Sequence, residues 1–404
     1  MTLERGTTLA AGSAIGEGSD WAAATDEAIR RAKAELGERP VDLALLFISA
    51  AWEAHAASIL ARVRAATGAA VLAGCSGQAI IGRRREVEDA PAISLLLLGL
   101  PGGTVWPAHV TQPDLAELEL PIDWIRAVGA PRPAINAWLV FADPFRLDVE
   151  HLLERLAAAY PDTPIVGGLA SGNPRTPATQ VFLNDRVYRE GAVLVGLGGA
   201  VTVQTVVAQG CQPIGRPWTI TNAEGNVIAE IGGRPALDVL IETVQALSPE
   251  DQLRARRNLL VGLAIDEYRT EFERGDFLIR NLLGIDTRAG TIAIGAQPRI
   301  GQTIQFQLRD AAAADEDLRQ LLDAARDRLS GELPVAALLC SCNGRGRDLF
   351  GVPDHDAQAV ADHLAPVPLA GFFCNGEIGP IGGKPFLHGF TASLALFVPR
   401  SARS

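Results

Sequence analysis

The fold is decided by two stretches that share one pattern: LALLFI at 43–48 with VLAGCSG at 71–77, and AWLVFA at 137–142 with IVGGLAS at 165–171. The first segment of each pair, 43–48 or 137–142, is an unbroken apolar run, which is typical of a strand buried on both faces of a sheet. A helical pattern follows each of these runs. The second member is a shorter apolar run that ends in a tight glycine turn. The spacing therefore predicts one strand–helix–strand–glycine-turn unit that occurs twice.

The offset between the two copies is constant. Ser49 and Asp143 follow the first apolar runs and Gly74 and Gly168 lie in the glycine turns, and the members of each pair are 94 residues apart. The similarity continues past the turns, where LLGLPGGTV resembles LVGLGGAV. We therefore predict an internal repeat of a strand–helix–strand–Gly-turn–strand–strand unit, over about 42–105 and 136–201.

A third copy of the first half of this unit lies near the C-terminus. VAALLCS at 335–341 is followed by a helical stretch at 354–364, by PLAGFFCNGE at 368–377 and by a closing strand at 389–398. The preceding region differs, because a helical pattern at 231–247 leads into four strand-like runs and a second helix. The four runs cover 259–265, 277–285, 291–296 and 303–308, and the second helix covers 315–330.

The predicted fold class is α/β, with two closely packed domains whose mixed β-sheets are flanked by helices. Residues 1–40 form an N-terminal segment with one helix, 41–230 form the first domain and 231–399 form the second. No low-complexity linker marks the boundary near 230, which is why we expect the domains to pack closely.

Composition restricts the class of function. The formal net charge of −11 argues against nucleic acid or an anionic membrane as the main partner, because both require a basic face. The five cysteines, an odd number in apolar stretches, do not form a secreted disulfide framework. The N-terminus lacks a signal-peptide core, and no apolar run approaches the roughly 20 residues of a membrane span. We expect a cytoplasmic protein without a membrane span.

Polar residues follow the predicted strands where they end. In α/β sheets, ligands lie beyond the carboxyl ends of the strands, so these side chains are candidates for a shared site. The candidate ligand-binding residues are Cys75, Ser76, Asp143, Ser171, Ser341, Asn343, Arg345, Cys374, Asn375 and Glu377. The alternative is that they are capping and turn residues, since Asp, Ser, Asn and Gly favour turns for local reasons.

Arg345 lies between two glycines directly after a buried-looking strand. Its planar guanidinium suits a carboxylate or phosphate group of a ligand. Glu377 would accept from an ammonium group, or would pair with Arg345 inside the protein. We expect a pocket formed by the turns at 341–346 and 371–379 and covered by the turns around Cys75 and Ser171.

Within that pocket, Arg345 would bind an anionic group. Glu377 or Asp143 would bind a cationic one. This pattern suits a zwitterion such as an amino acid.

The C-terminal third also carries a family resemblance. SCNGRG at 341–346 and GFFCNGEIGPIGGKPFLHGFTASLALF at 371–397 resemble the FIST C-terminal domain. AGCSGQAI at 73–80 resembles the matching element of the FIST N-terminal domain, and PALDVLIE at 235–242 resembles the opening of the C-terminal one. The resemblance covers roughly 40–398. It implies a sensory module for small ligands, proposed to include amino acids, and a subset of the family is similar to haem proteins that sense nitric oxide.

The resemblance also bears on the partner of the protein. No kinase, cyclase or chemotaxis output domain follows the repeat, so we expect the protein to signal through a separate partner protein. The family commonly has a hydroxyl-bearing or aromatic residue where this chain has Cys374 and Asn375, which leaves the identity of the ligand open.

Two alternatives to a plain sensor remain. An enzyme that uses Cys75 or Cys374 as a nucleophile would need a nearby base, but the six histidines are scattered and none lies in a partner motif. A haem-based gas sensor would need only one axial histidine. We predict no catalytic residue and no metal site, and we expect no cofactor unless haem is bound.

Overall fold

The structure is a computed structural model that describes residues 8–173, 175–269, 271–272 and 274–400. The described chain divides into two compact units. Unit 1 comprises 8–207, 318–387 and 391–400, and unit 2 comprises 208–317 and 388–390. The boundary predicted near 230 falls inside unit 2. All ten candidate site residues lie in unit 1.

Helices and strands alternate along most of the chain. The helices are α1 Trp21–Leu36, α2 Ala56–Thr67, α3 Gln112–Glu117, α4 Pro121–Val128, α5 Val149–Ala159, α6 Ala236–Gln245, α7 Pro249–Asn258, α8 Ala311–Arg328, α9 Arg347–Phe350 and α10 His355–Leu364, with 3-10 turns at Ala50–His55 and Arg132–Ala134. The strands up to residue 200 are β1 Ala10–Glu17, β2 Leu43–Ser49, β3 Val71–Gly77, β4 Ile80–Gly82, β5 Arg85–Val87, β6 Ala92–Gly99, β7 Gly103–Val110, β8 Ile135–Ala142, β9 Ile165–Leu169, β10 Val181–Leu183, β11 Arg186–Tyr188 and β12 Ala192–Gly199.

The remaining strands are β13 Val201–Gln209, β14 Cys211–Glu224, β15 Val227–Ile231, β16 Arg234–Pro235, β17 Leu259–Ala264, β18 Phe277–Asp286, β19 Thr291–Ile294, β20 Thr303–Arg309, β21 Ala336–Cys342, β22 Leu369–Cys374, β23 Glu377–Ile381, β24 Lys384–His388 and β25 Thr391–Pro399. With 29% helix and 41% strand in mixed sheets flanked by helices, the predicted α/β fold class is confirmed.

Three six-stranded sheets of the same construction form the centre of unit 1. Their strand orders are β1-β6-β2-β3-β10-β11, β7-β12-β8-β9-β23-β24 and β13-β25-β21-β22-β4-β5. The third and fourth strands of each order run parallel to each other. Every residue of β2 and β3 is buried, as their unbroken apolar runs predict. The internal repeat is therefore confirmed, and a third copy completes it.

Each copy gives its hairpin to the sheet of another copy. The hairpin β4–β5 of the first copy lies in the third sheet, β10–β11 of the second copy lies in the first sheet, and β23–β24 of the third copy lies in the second sheet. No copy completes its own sheet, so the three copies must fold together.

One glycine in each copy marks the equivalent position. A Cβ added to Gly74, Gly167 or Gly371 would overlap the carbonyl oxygen of Leu46, Val140 or Leu339 on the neighbouring parallel strand. Only glycine allows the two backbones to approach so closely. The sequence alignment matched Gly74 with Gly168. That match was wrong by one residue, because the register partners Leu46 and Gly74 are 28 residues apart in the first copy, whereas Val140 and Gly167 are 27 apart in the second.

Unit 2 is built around one antiparallel sheet. Its strand order is β14-β20-β17-β18-β19-β15-β16, and β14 also pairs with β15, so the sheet closes on itself. Isoleucines from several strands form its core together with Phe306 and the buried face of α6. The four strand-like runs predicted from the sequence correspond to β17, β18, β19 and β20.

None of the helices in the described part of the chain combines the length and hydrophobicity that crossing a membrane requires.

Candidate functional site

The glycine turns of the three copies lie together in unit 1. The Ser76 hydroxyl donates to the Ser171 carbonyl oxygen at 2.8 Å, and the Ser171 hydroxyl donates to the carbonyl oxygen of Phe373. The Asn375 side-chain amide donates to the Ala170 carbonyl oxygen at 3.0 Å. The structure thus brings together candidate residues from all three copies, although they were assigned from separate parts of the sequence.

The connections at these turns differ in length. Two residues, Gln78 and Ala79, join β3 to β4, and two residues, Asn375 and Gly376, join β22 to β23. In the second copy the eleven residues 170–180 join β9 to β10. The long connection breaks the threefold equivalence of the turns and leaves room for a cleft.

A cleft of about 520 Å³ lies where the three turns meet. Gln78 contributes from the first copy and Asn375 from the third. The long connection contributes Asn173, Arg175 and Thr179. The lining is rich in amide and hydroxyl groups and includes one guanidinium, so it offers many hydrogen bonds and a positive charge.

Asp143 does not line this cleft but is hydrogen-bonded to residues that do. The carboxylate is buried and accepts from the Thr179 hydroxyl at 2.6 Å and from the Arg146 backbone N–H at 2.7 Å. Since Thr179 lines the cleft, Asp143 anchors the end of the long connection. The expectation that Asp143 binds a cationic group is not supported, because its oxygens are occupied by the protein.

Arg345 has a partner that the sequence analysis did not identify. Its Nε and Nη2 donate to the two carboxylate oxygens of Asp356 at 2.7 and 2.9 Å, and both side chains are fully buried. The Ser341 hydroxyl donates to the same carboxylate at 2.8 Å. Burial alone would raise the pKa of Asp356, but the charge of Arg345 and a hydrogen bond from His355 hold that pKa well below its usual range.

The alternative in which Arg345 pairs with Glu377 is therefore wrong in its partner, which is Asp356. Asp356 reaches Arg345 from the first turn of α10, eleven residues along the chain. Nη1 of Arg345 is buried without a hydrogen-bond partner among the described residues. The ion pair therefore links the GRG turn (residues 344–346), which follows β21, to the start of α10. Arg345 does not line the cleft.

Glu377 is also fully enclosed by protein. Its carboxyl group accepts from the Cys374 thiol at 3.2 Å and from the Thr391 backbone N–H at 3.0 Å. Burial raises the pKa of Glu377 to about 8, against the opposing effects of these hydrogen bonds and of the Arg345 charge. Near Glu377, the Asn343 amide donates to the Asn375 side-chain oxygen at 2.8 Å, which links the GRG turn to the cleft.

The two candidate nucleophiles are poorly placed to attack a substrate that enters from solvent. Cys75 and Cys374 are buried, and burial raises the pKa of both thiols well above the ordinary value. A thiol with a raised pKa carries little thiolate near neutral pH. Among the residues that the structure describes, no group of three or more His, Cys, Asp or Glu side chains could hold a metal ion.

Several residues of the cleft and its surroundings were not predicted from the sequence. Arg175, Gln78 and Thr179 line the cleft, and Asp356 pairs with Arg345. The usable signal was the connection after IVGGLAS, which is longer than the connections of the other two copies. Aligning all three copies would have marked residues 170–180 as the place where the repeat is expanded.

The fold and the site define an α/β protein in which three copies of one unit meet at a polar cleft. The model of the FIST N domain matches residues 42–234 and that of the FIST C domain matches residues 236–380, so the chain belongs to the FIST family. FIST domains are associated with sensory signal transduction.

The chain is also similar to proteins without a described function. An uncharacterized protein of Mycobacterium tuberculosis is 42% identical over 96% of this chain and 99% of its own length. An uncharacterized protein of Mycobacterium bovis is 41% identical over 92% of this chain and 94% of its own length. A solved cyanuric acid hydrolase from A. caulinodans covers 98% of this chain and 100% of its own with a TM-score of 0.39 and 10% identity, a level that supports no argument on activity.

Proposed function

We propose that this protein senses a small amino-acid-like ligand, which binds in the cleft where the three glycine turns meet, and that it acts on a separate partner protein. The observation that carries the proposal is the expanded connection at 170–180. Two copies of the repeat close their turns with two residues, whereas the second copy adds a polar wall. A cleft of about 520 Å³ is within the range of about 300–1,000 Å³ that small-molecule sites occupy.

The chemistry of the lining suits a zwitterion. Arg175 is exposed, and among the described residues no acidic side chain forms an ion pair with it. Its guanidinium would bind the carboxylate of the ligand through two parallel hydrogen bonds. The Gln78 side-chain oxygen would accept from the ammonium group. The Asn173 side-chain oxygen accepts from the Arg175 backbone N–H at 2.9 Å and has a second lone pair for the same ligand group. Arg175 thus takes the role that the sequence analysis gave to Arg345.

The side chain of the ligand would lie on an apolar part of the cleft. Phe145 lines the cleft and is 49% exposed, so its ring offers a surface that a ligand would cover. Phe145 is fixed through its backbone N–H, which donates to Asp143 at 3.3 Å. An amino acid with an apolar side chain therefore fits better than a strongly charged one.

The test is a thermal-shift screen of the proteinogenic amino acids, followed by titration calorimetry of those that raise the melting temperature. We expect a free amino acid to bind and its carboxamide to bind weakly, because the amide lacks the negative charge. Arg175→Ala should lower the affinity about tenfold to a hundredfold, since a hydrogen bond to a charged group contributes roughly 1.5–3 kcal/mol. The matched control is Arg186→Ala, an exposed arginine outside the cleft, and it should bind as the unaltered protein does.

Two outcomes would contradict this proposal. Equal affinity of the unaltered and Arg175→Ala proteins would show that the ligand binds outside the cleft. If no amino acid binds, native mass spectrometry of the purified protein identifies any small molecule that remains bound, and a molecule without a carboxylate would overturn the amino-acid class.

We also expect the protein in the cytoplasm, because its five cysteines are not paired in disulfides.

A further inference from the structure

Two cysteines face each other at the ends of parallel strands in the third sheet. Cys342 is the last residue of β21 and Cys374 is the last residue of β22, and the two are direct register partners. Neighbouring strands lie about 4.8 Å apart, which is inside the Cα separation of roughly 4.4–6.8 Å that disulfides require. Register partners also project to the same face of the sheet.

The contacts around the pair hold it tightly. Sγ of Cys374 lies 3.2 Å from the carbonyl oxygen of Ser341, and the backbone N–H of Asn343 donates to the Cys374 carbonyl oxygen at 3.0 Å. The residues on both sides of Cys342 therefore contact Cys374. The two thiols also share one acceptor, because both form hydrogen bonds with the carboxyl group of Glu377.

We propose that Cys342 and Cys374 are an oxidation site, at which a hydroperoxide converts the two thiols into a reversible disulfide. In the first step the Cys342 sulfur attacks the peroxide, the O–O bond breaks, and Cys342 becomes a sulfenic acid. In the second step the Cys374 sulfur attacks the Cys342 sulfur, the S–O bond breaks, and the oxygen leaves as water. Overall, two thiols and one hydroperoxide give one disulfide, one alcohol and one water; with hydrogen peroxide, two waters form.

The surroundings assign a different task to each thiol. Cys342 is half-buried and Cys374 is buried, so the peroxide reaches Cys342 first. The positive charge of Arg345 interacts with Cys342, and a nearby guanidinium favours the reactive thiolate. Glu377 lies 3.2 Å from the Cys374 sulfur and accepts its proton in the second step. Its pKa of about 8 suits a base that works near neutral pH.

The other cysteines of unit 1 lack this geometry. Cys340 has Phe372 as its register partner on β22, and Cys75 has Phe47 on β2. Within the described strands, Cys342 and Cys374 are thus the cysteine pair in register. These neighbours provide matched controls, since they are buried thiols of the same region.

Oxidation would also affect the cleft, and this consequence rests on the proposed function. Asn343 and Asn375 directly follow the two cysteines and are hydrogen-bonded to each other at 2.8 Å, and Asn375 lines the cleft. A disulfide favours a Cα separation of about 5.5–6 Å, which is larger than the strand spacing of about 4.8 Å, so its formation would shift the strand ends and move Asn375. The disulfide itself requires no ligand, so its formation is tested separately.

The experiment treats the reduced full-length protein with hydrogen peroxide, blocks remaining thiols with iodoacetamide, and maps peptides by tandem mass spectrometry without reduction. We expect a link between Cys342 and Cys374 that dithiothreitol removes. Cys340→Ala and Cys75→Ala should retain the link. In Cys374→Ser, dimedone should trap a sulfenic acid at Cys342. Glu377→Gln should slow the second step by roughly a hundredfold, the usual contribution of a general base.

The unaltered protein alone can overturn the inference, so the test does not depend on a variant that folds. Reduced Cys342 and Cys374 after peroxide treatment would contradict it, and so would a link of either residue to Cys340 or Cys75. If the link forms but no amino acid binds in the cleft, the oxidation site stands and the proposed function fails. If the link forms and amino-acid affinity is unchanged, the effect on the cleft is wrong.

Discussion

Two loops of unit 1 each carry an arginine, and the two arginines have different environments. Arg345 in the GRG turn is fully buried and both of its bonded nitrogens contact Asp356. Arg175 in the long connection is exposed and lines the cleft. The GRG turn, whose sequence is the more family-like, therefore contains an arginine with a structural role. The connection at 170–180, which departs from the repeat, contains the arginine that lines the cleft.

The difference has a physical cause. A guanidinium removed from water needs a carboxylate partner in the interior, because an unpaired buried charge is strongly destabilising. Asp356 satisfies this need at the start of α10, where a negative charge also interacts favourably with the helix dipole. An arginine that is to bind a ligand must instead keep its donors available. A glycine-flanked arginine thus indicates a closely packed anionic partner. The sequence does not indicate whether that partner is a ligand or a protein side chain.

Of the substitutions that separate the roles of the two arginines, Asp356→Asn is expected to have the largest effect. The amide keeps the size of the side chain but leaves the Arg345 charge without its partner. Breaking a buried ion pair in this way costs about 3–5 kcal/mol, so the free energy of unfolding measured with urea should fall by that amount. Ligand affinity of the folded fraction should stay unchanged.

The matched control for that variant is Asp362→Asn on the same helix. Asp362 is exposed and pairs with Arg84 at 2.8 Å, so its loss should change stability by about 0–1 kcal/mol. Equal effects of the two variants would contradict the structural role of Arg345. A large loss of ligand affinity in Asp356→Asn, without loss of stability, would place the ligand at the GRG turn after all.

A smaller effect concerns Glu86, which lies against the same helix. Its carboxyl group is buried on β5 and accepts from the Ala357 backbone N–H at 2.9 Å. Burial, and next the negative charge of Asp356, raise the pKa of Glu86 from 4.5 to about 8. The folded protein therefore holds this proton more tightly than the unfolded chain does. The resulting stability is present below about pH 4.5 and is lost as the pH rises through about 8.

Melting temperatures of the unaltered protein and of Glu86→Gln, measured between pH 5 and pH 9, test this direction of the pH dependence of stability. The variant should gain stability relative to the unaltered protein as the pH rises, because glutamine cannot ionise. Glu377 contributes a pH dependence of stability in the same direction in both proteins. The difference between their melting temperatures therefore reports on Glu86 alone. A difference that does not vary with pH, or one that grows in the opposite direction, would contradict the raised pKa.

The local part of this fold could be predicted from sequence. LALLFI and VLAGCSG predicted β2, β3 and their buried faces, because strand burial is visible in an unbroken apolar run. The exchange of hairpins between the copies could not be predicted, since β4 and β5 are short and β22, with which β4 pairs, lies almost 300 residues away in sequence. Periodicity contains no information on such distant pairing.

The location of the candidate site was predicted better than the residues that form it. The equivalent turns of the repeat meet as predicted, with contacts made by Ser76, Ser171 and Asn375. Asp356 was not predicted as the partner of Arg345, because a buried ion pair between a turn and a later helix has no sequence signature. Arg175 was overlooked because an arginine in a polar loop is typical of a solvated surface.

The most direct test of the ligand site is amide hydrogen exchange with and without a bound amino acid. We expect slower exchange in residues 172–179 and in the turns at Gln78 and Asn375, because a ligand in the cleft would contact all three copies of the repeat. Exchange in residues 343–347 should change much less. Protection confined to 343–347, with no change in residues 172–179, would contradict the account and show that the ligand binds at the GRG turn.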